Sequence, residues 1–144
     1  MISVQKLLEG KARNLTFFVT PDNMVIEALE LMSEKNIGAV MVMDGNKLIG
    51  VFSEREYARK GIIRGRKAKS TSVIEVMRVN PPTVSPEMDI EDCMELFQEH
   101  KVRHLPVIQN EEVIGMISVG DLLNGILEEQ KSHINFLEQY ITRK

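Results

Sequence analysis

Apolar residues recur in two rhythms along this chain, and the same succession of rhythms comes twice. Between Val25 and Met32 the apolar positions Val25, Ala28, Leu29 and Met32 form one stripe at helical spacing. The runs Ala39 to Met43 and Leu48 to Phe52 follow, split by Asp44-Gly45-Asn46, and predict a hairpin closed by a Gly-containing turn. Sixty-five positions on, Ile90, Cys93, Met94 and Phe97 repeat the stripe, and Leu105 to Ile108 with Val113 to Ile117 repeat the hairpin. A closing helix is predicted after each hairpin, from Glu54 and from Val119. Each copy thus reads as strand, helix, strand, strand, helix.

The two copies, Val19 to Tyr57 and Val84 to Leu122, align without a gap, and about a quarter of the aligned positions are identical. Pro21 falls on Pro86, Glu30 and Leu31 on Glu95 and Leu96, Ile49 and Gly50 on Ile114 and Gly115, and Ser53 on Ser118. One copy is too small to bury its apolar faces alone, so the duplication predicts a pseudo-symmetric α+β module of two β-α-β-β-α repeats packed sheet to sheet, with a cleft between them. The first repeat, with a leading helix and the connector, is assigned to residues 1–70, and the second, with a C-terminal helix, to 71–144.

Outside the copies, Ser3 to Glu9 predicts a short helix stopped by Gly10. The tail carries Ile126, Leu127, Ile134, Leu137 and Ile141 on a broken apolar stripe that needs a surface, either its own second repeat or a second subunit. The connector is rich in Gly and basic residues, ends on Pro81-Pro82 and is expected to include the strand that opens the second repeat.

Composition narrows the reading. With 144 residues the repeats are nearly the whole chain, leaving no room for a catalytic domain beside them. A net charge of −3 and 43% hydrophobic residues describe an ordinary soluble globule, and an acidic chain argues against nucleic acid. The absence of a signal-like N-terminus, or of an apolar run of about 18 residues, points to the cytoplasm. The single Cys93 sits on a helix stripe and reads as a packing residue, not a redox centre. The nine methionines fall mostly at core spacing. His100 and His133 have no ligand-like spacing to one another or to a carboxylate cluster, so no metal site is expected.

The segments Leu48-Ile49-Gly50-Val51-Phe52-Ser53-Glu54-Arg55-Glu56-Tyr57 and Val113-Ile114-Gly115-Met116-Ile117-Ser118-Val119-Gly120-Asp121-Leu122, with Arg103-His104-Leu105-Pro106-Val107 upstream, resemble the cystathionine β-synthase (CBS) domain. Two in tandem resemble a stand-alone Bateman module of the kind found as a small bacterial protein. That likeness implies no enzyme. It implies a regulatory module that binds adenosine ligands in the cleft between the copies: AMP foremost, with ATP, ADP, NAD and S-adenosylmethionine sharing the same adenosine.

An adenosine ligand needs an apolar slot for the base, a carboxylate for the ribose hydroxyls, and donors or cations for phosphate. The resemblance gives the ribose to Asp121, ribose or phosphate to Ser118 beside the helix N-terminus, and phosphate to Arg103 and His104, with Met116 alongside. The base of that ligand would rest near Ile37, Gly38 and Ala39 and the strand Asn14, Leu15, Thr16. A mirror site would use Ser53, Arg55 and Glu56, with the base against Pro82, Thr83 and Val102. Glu56 stands where the pattern prefers Asp, and Gly38-Ala39 where the second copy has Arg103-His104, so the Asp121 site ranks first. Both Ser-x-x-acid sets also read as capping boxes that need do no more than start a helix.

The basic set Arg55, Arg59, Lys60, Arg64, Arg66, Lys67 and Lys69 reads as a solvated helix end and connector, or as a contact for polyphosphate or an acidic partner. A homodimer packed helix to helix is expected, together with an unidentified regulated protein as partner. The alternative from another class is a ligand-free scaffold that docks a protein through the basic connector and the C-terminal helix.

Overall fold

The computed structural model describes residues 2–11 and 17–142, the side chains of Tyr140 and Thr142 apart. The elements run α1 (Val4–Glu9), β1 (Phe18–Val19), α2 (Val25–Lys35), β2 (Ala39–Asp44), β3 (Lys47–Ser53), α3 (Glu54–Lys60), β4 (Arg78–Val79), α4 (Ile90–His100), β5 (His104–Gln109), β6 (Glu112–Ser118) and α5 (Val119–Thr142). The expected mixed α+β fold is present. Adding 65 to the bounds of α2, β2 and β3 gives the bounds of α4, β5 and β6, so the duplication holds at the level of single residues.

The same offset carries through finer features. Helix α2 ends on Asn36 and α4 on Lys101, both left-handed with φ of 54°. The parallel pairing of Val19 with Val42 recurs as a bridge between Val84 and Val107. The opening strand of the second copy is reduced to that bridge, and the connector strand β4 pairs antiparallel with β3. The hairpin turns differ. Gly45 takes the positive φ in the first, whereas Asn110 and Glu111 both have positive φ in the second, the requirement of a two-residue type I′ turn.

The chain folds as two compact units. One comprises Leu15–Pro82 with Asn110–Ile114, and the other Met1–Asn14, Thr83–Gln109 and Gly115–Lys144. In the first, Val19, Val25, Ala28, Met32, Val40, Val42 and Phe52 pack with Val73, Val76 and Met77 of the connector. Strand order there is β1-β2-β3-β4. In the second unit, Cys93, Phe97, Leu105, Val107, Ile117 and Leu122 are buried, as are Ile2, Val4, Leu7 and Leu8 of the leading segment.

The leading segment therefore sides with the second copy rather than with the copy it precedes. Val4 N donates to Met88 O at 2.8 Å, Gln5 N to Pro86 O at 2.9 Å, and Ile90 N to Ile2 O at 3.0 Å. The first unit has the matching bonds from the connector: Val73 N to Asn23 O at 2.9 Å, Ile74 N to Pro21 O at 3.2 Å, and Val25 N to Thr71 O at 2.8 Å. Ile2-Ser3-Val4 and Thr71-Ser72-Val73 are thus equivalent lead segments. Each seals the apolar end of a copy that cannot close its core alone.

Two glycines record how closely α1 docks. A Cβ on Gly115 of β6 would lie 2.8 Å from Leu8 Cδ2, and one on Gly125 of α5 would overlap Leu7 Cδ2. Gly50, the counterpart of Gly115, faces Met77 Sδ in the same way, at 2.6 Å from such a Cβ. The shared Ile-Gly signature marks where the lead segment presses on the hairpin.

Candidate functional site

Helix α5 begins at the end of β6, and its first turn is held by a reciprocal cap. Asp121 N donates to Ser118 Oγ at 3.1 Å, and Ser118 N donates to Asp121 Oδ2 at 2.8 Å. Val119 N donates to Arg103 O at 3.1 Å, which brings the residue before β5 to the same turn. Ser118 and Asp121 are half-buried, and Arg103 is exposed. The cap occupies Oδ2 of the carboxylate, the same group that the resemblance assigns to ribose.

Sequence reasoning missed the cation at this site. Lys11 Nζ lies 3.0 Å from Asp121 Oδ2 and donates to Met116 O at 2.8 Å. No local pattern points to it, because Lys11 stands far upstream, just after α1. What delivers it is the docking of Leu7 and Leu8 against Gly125 and Gly115, and those glycines were the available signal.

His104 is half-buried beside this cluster. Burial pushes its pKa down to about 4, the Asp121 carboxylate pulling up against it and the Lys11 and Arg103 cations adding to the depression. Of the two ways in which His104 could meet a phosphate, as a cation or as a hydrogen-bonding group, this environment favours the second. At neutral pH it is an uncharged imidazole, able only to exchange hydrogen bonds, and the cations of the second unit's cluster are Arg103 and Lys11.

The first copy repeats the arrangement with different parts. Glu56 N donates to Ser53 Oγ at 3.1 Å, and Glu54 N to Gly38 O at 3.4 Å. The Glu56 carboxylate is met by Lys60 Nζ at 3.2 Å, one turn on in α3, and Lys60 also donates to Met77 O at 3.4 Å. The counterpart of Lys60 in the second copy is Gly125, the residue that admits α1. The remote Lys11 fills that role there.

Ile37 is half-buried, Gly38 exposed and Ala39 buried at the start of β2. Ile37, with Leu29, Met32, Asn36, Tyr57 and Ile62, lines a depression of about 540 Å³ between α2 and α3. Pro82 is half-buried in the first unit. Thr83 (exposed), Val102 and Met116 (both half-buried) belong to the second. Asn14, Leu15 and Thr16 lie outside the described residues.

Much of the basic set has partners. Arg66 Nη1 meets Glu75 Oε1 at 2.8 Å, and the Ser72 amide together with this contact holds the Glu75 carboxyl below its usual range. Arg59, Arg64, Lys67 and Lys69 are exposed or nearly so along the connector. Cys93 is fully buried, and burial beside Asp89 and Asp92 raises its thiol pKa to about 11, the setting of a packing residue. Among the described residues no three His, Cys, Asp or Glu gather as metal ligands, and no helix is long and apolar enough to cross a membrane.

Two copies of one α+β unit, each with a serine cap and a carboxylate in the first turn of its closing helix, define a tandem-repeat module. The family model of the CBS domain matches residues 14–61 and 73–128, and the chain belongs to the CBS-domain family. It is 35% identical over 127 residues to the mitochondrial CBS domain-containing protein CBSX3 of Arabidopsis thaliana, covering 85% of this chain and 62% of that protein. The chain thus spans less than two thirds of that relative. A CBS-domain protein from Burkholderia ambifaria MC40-6 has a solved structure that matches with a TM-score of 0.86 at 38% identity, over 90% of this chain and 96% of the other. The structure of CBSX2 in complex with AMP matches with a TM-score of 0.73 at 25% identity, over 89% of this chain and 98% of that one.

Proposed function

We propose that this chain is a regulatory, non-catalytic sensor that binds an adenine nucleotide, AMP foremost, at the start of α5. The observation that carries the reading is the Ser118–Asp121 cap with Lys11 on its carboxylate. It gathers a half-buried carboxylate, a hydroxyl, the Lys11 ammonium and the N-terminus of a 24-residue helix. The similarity to CBSX2, whose structure holds AMP, supports the ligand class.

In this reading Asp121 Oδ1 accepts from the ribose hydroxyls, while Oδ2 keeps Ser118 N and Lys11. Ser118 Oγ and the first amides of α5 face the phosphate, where the helix dipole favours an anion. Arg103 and Lys11 supply positive charge, and neutral His104 supplies a hydrogen bond. The Ser53, Arg55 and Glu56 site ranks second, since Gly38-Ala39 stands where the second copy has Arg103-His104 and α3 has only seven residues. ATP, ADP and NAD would present the same adenosine.

Calorimetric titration with AMP tests the assignment. Asp121→Ala should weaken binding by about 1.5–3 kcal/mol, the scale of hydrogen bonds to a charged group. Unchanged affinity would remove Asp121 from the site, and absence of binding by the unaltered chain would overturn the nucleotide reading. The second reading, a ligand-free scaffold for a protein partner, is favoured by the exposed apolar residues of α5. Mass spectrometry finding no nucleotide carried through purification, together with no binding in the titration, would favour it.

A further inference from the structure

Helix α1 has six residues, too few to persist in water without a surface to pack on, so it is either docked and helical or detached and unfolded. Its docking rests on Leu7 at Gly125, on Leu8 at Gly115, and on the amide bonds from Val4 to Met88 O and from Gln5 to Pro86 O. All of these residues belong to one unit. Lys11 N donates to Leu8 O at 3.3 Å, which ties the lysine to the residue seated against β6. Its ammonium then reaches Met116 O and Asp121 Oδ2. Lys11 is therefore delivered to the carboxylate only while α1 is docked.

The first copy needs no such delivery, because Lys60 meets the Glu56 carboxylate from one turn further along the same helix. At the equivalent position the second copy has Gly125, whose missing side chain is the notch for Leu7. A detachable cation thus stands where the first copy has a resident one.

We infer that α1 is a positioning element of the nucleotide site at Asp121, and that α1 docking and nucleotide binding reinforce each other through Lys11. The inference rests on the nucleotide reading given above. Docked, α1 holds Asp121 Oδ2, leaves Oδ1 for the ribose and adds a positive charge for the phosphate; detached, it takes that charge away. Coupling between two binding events is reciprocal, so the factor by which detachment weakens the nucleotide is the factor by which the nucleotide holds α1 in place. The Lys11 bridge is partly exposed, which sets that factor at about five. Capture of the leading segment thereby lowers affinity at the Asp121 site and leaves Glu56 with its own lysine.

The test uses the full chain. Leu7→Ser with Leu8→Ser removes the apolar contacts of α1 and should weaken AMP about fivefold in calorimetry. In a Lys11→Met background the same pair should weaken AMP no further, since the group that α1 delivers is already gone, whereas Lys11→Arg keeps the charge and should keep the dependence. Amide exchange followed by NMR reads the reciprocal effect on the unaltered chain: saturating AMP should slow exchange at Val4 and Gln5 about fivefold, and in Lys11→Met it should not slow them. Should the two serines unfold the second unit, the exchange measurement decides alone. Further weakening of AMP by the serines in the Lys11→Met background would overturn the inference, as would exchange at Val4 and Gln5 that is indifferent to AMP in a chain that binds it. An unaltered chain that binds no AMP overturns the nucleotide reading, and this inference with it.

Discussion

Lys11 Nζ and Asp121 Oδ2 stand 3.0 Å apart, joining the leading segment to the first turn of a helix 110 residues later. With side chains 30% and 20% exposed, the pair is only partly shielded from water, and such a bridge contributes about 1 kcal/mol. It also places a cation beside the carboxylate proposed for ribose.

Lys11→Met should therefore lower stability in urea by about 1 kcal/mol, and the loss should shrink at high salt, where the bridge in the unaltered chain is screened. Calorimetry on the same variant should show AMP weakened more than adenosine, because the ammonium acts on the phosphate. Equal weakening of both would confine Lys11 to holding Asp121 in place.

Gly125 predicts an inversion of the usual helix rule. Gly→Ala inside a helix normally stabilises by up to about 1 kcal/mol. Here the added methyl overlaps Leu7 Cδ2, and forcing an extra carbon into a packed contact costs about 1–3 kcal/mol. Gly125→Ala should destabilise, and in a Leu7→Ala background the same change should stabilise. Thermal melts of the four members of that cycle measure the coupling; an additive cycle would place α1 elsewhere.

His104 gives a pH dependence with a definite sign. Its pKa is about 4 in the folded chain against an ordinary value of about 6.5, so on acidification the unfolded chain takes up the proton first. The stabilising contribution is complete above about pH 6.5, declines as the pH falls toward about 4, and changes no further below it. The loss is of the order of 3 kcal/mol, and His104→Gln, which cannot titrate, should flatten the stability profile across that window. A profile unchanged by the substitution would assign the acid sensitivity to the carboxylates.

Much of this architecture is local in origin and was legible as such. The gapless offset placed α4, β5 and β6 once α2, β2 and β3 had been read, because each rests on a short-range period of apolar residues. Ser53 and Ser118 were visible as caps because a cap joins residues three apart. The turn at Asn110-Glu111 was less legible, since Glu is an uncommon residue at positive φ and only the neighbouring strands impose it.

The sequence by itself determined the duplication, the elements of each copy and the serine caps of the two closing helices, all of which follow from interactions between residues a few positions apart. The tertiary structure decided which segment closes which core. Thr71 to Met77 closes the first copy and Ile2 to Leu8 the second, although the latter precedes the first in the chain. It also decided that Lys11 reaches Asp121 and that His104 is neutral. Those outcomes depend on non-local docking and on the burial it causes, and no periodicity along a chain encodes the distance between residues 11 and 121.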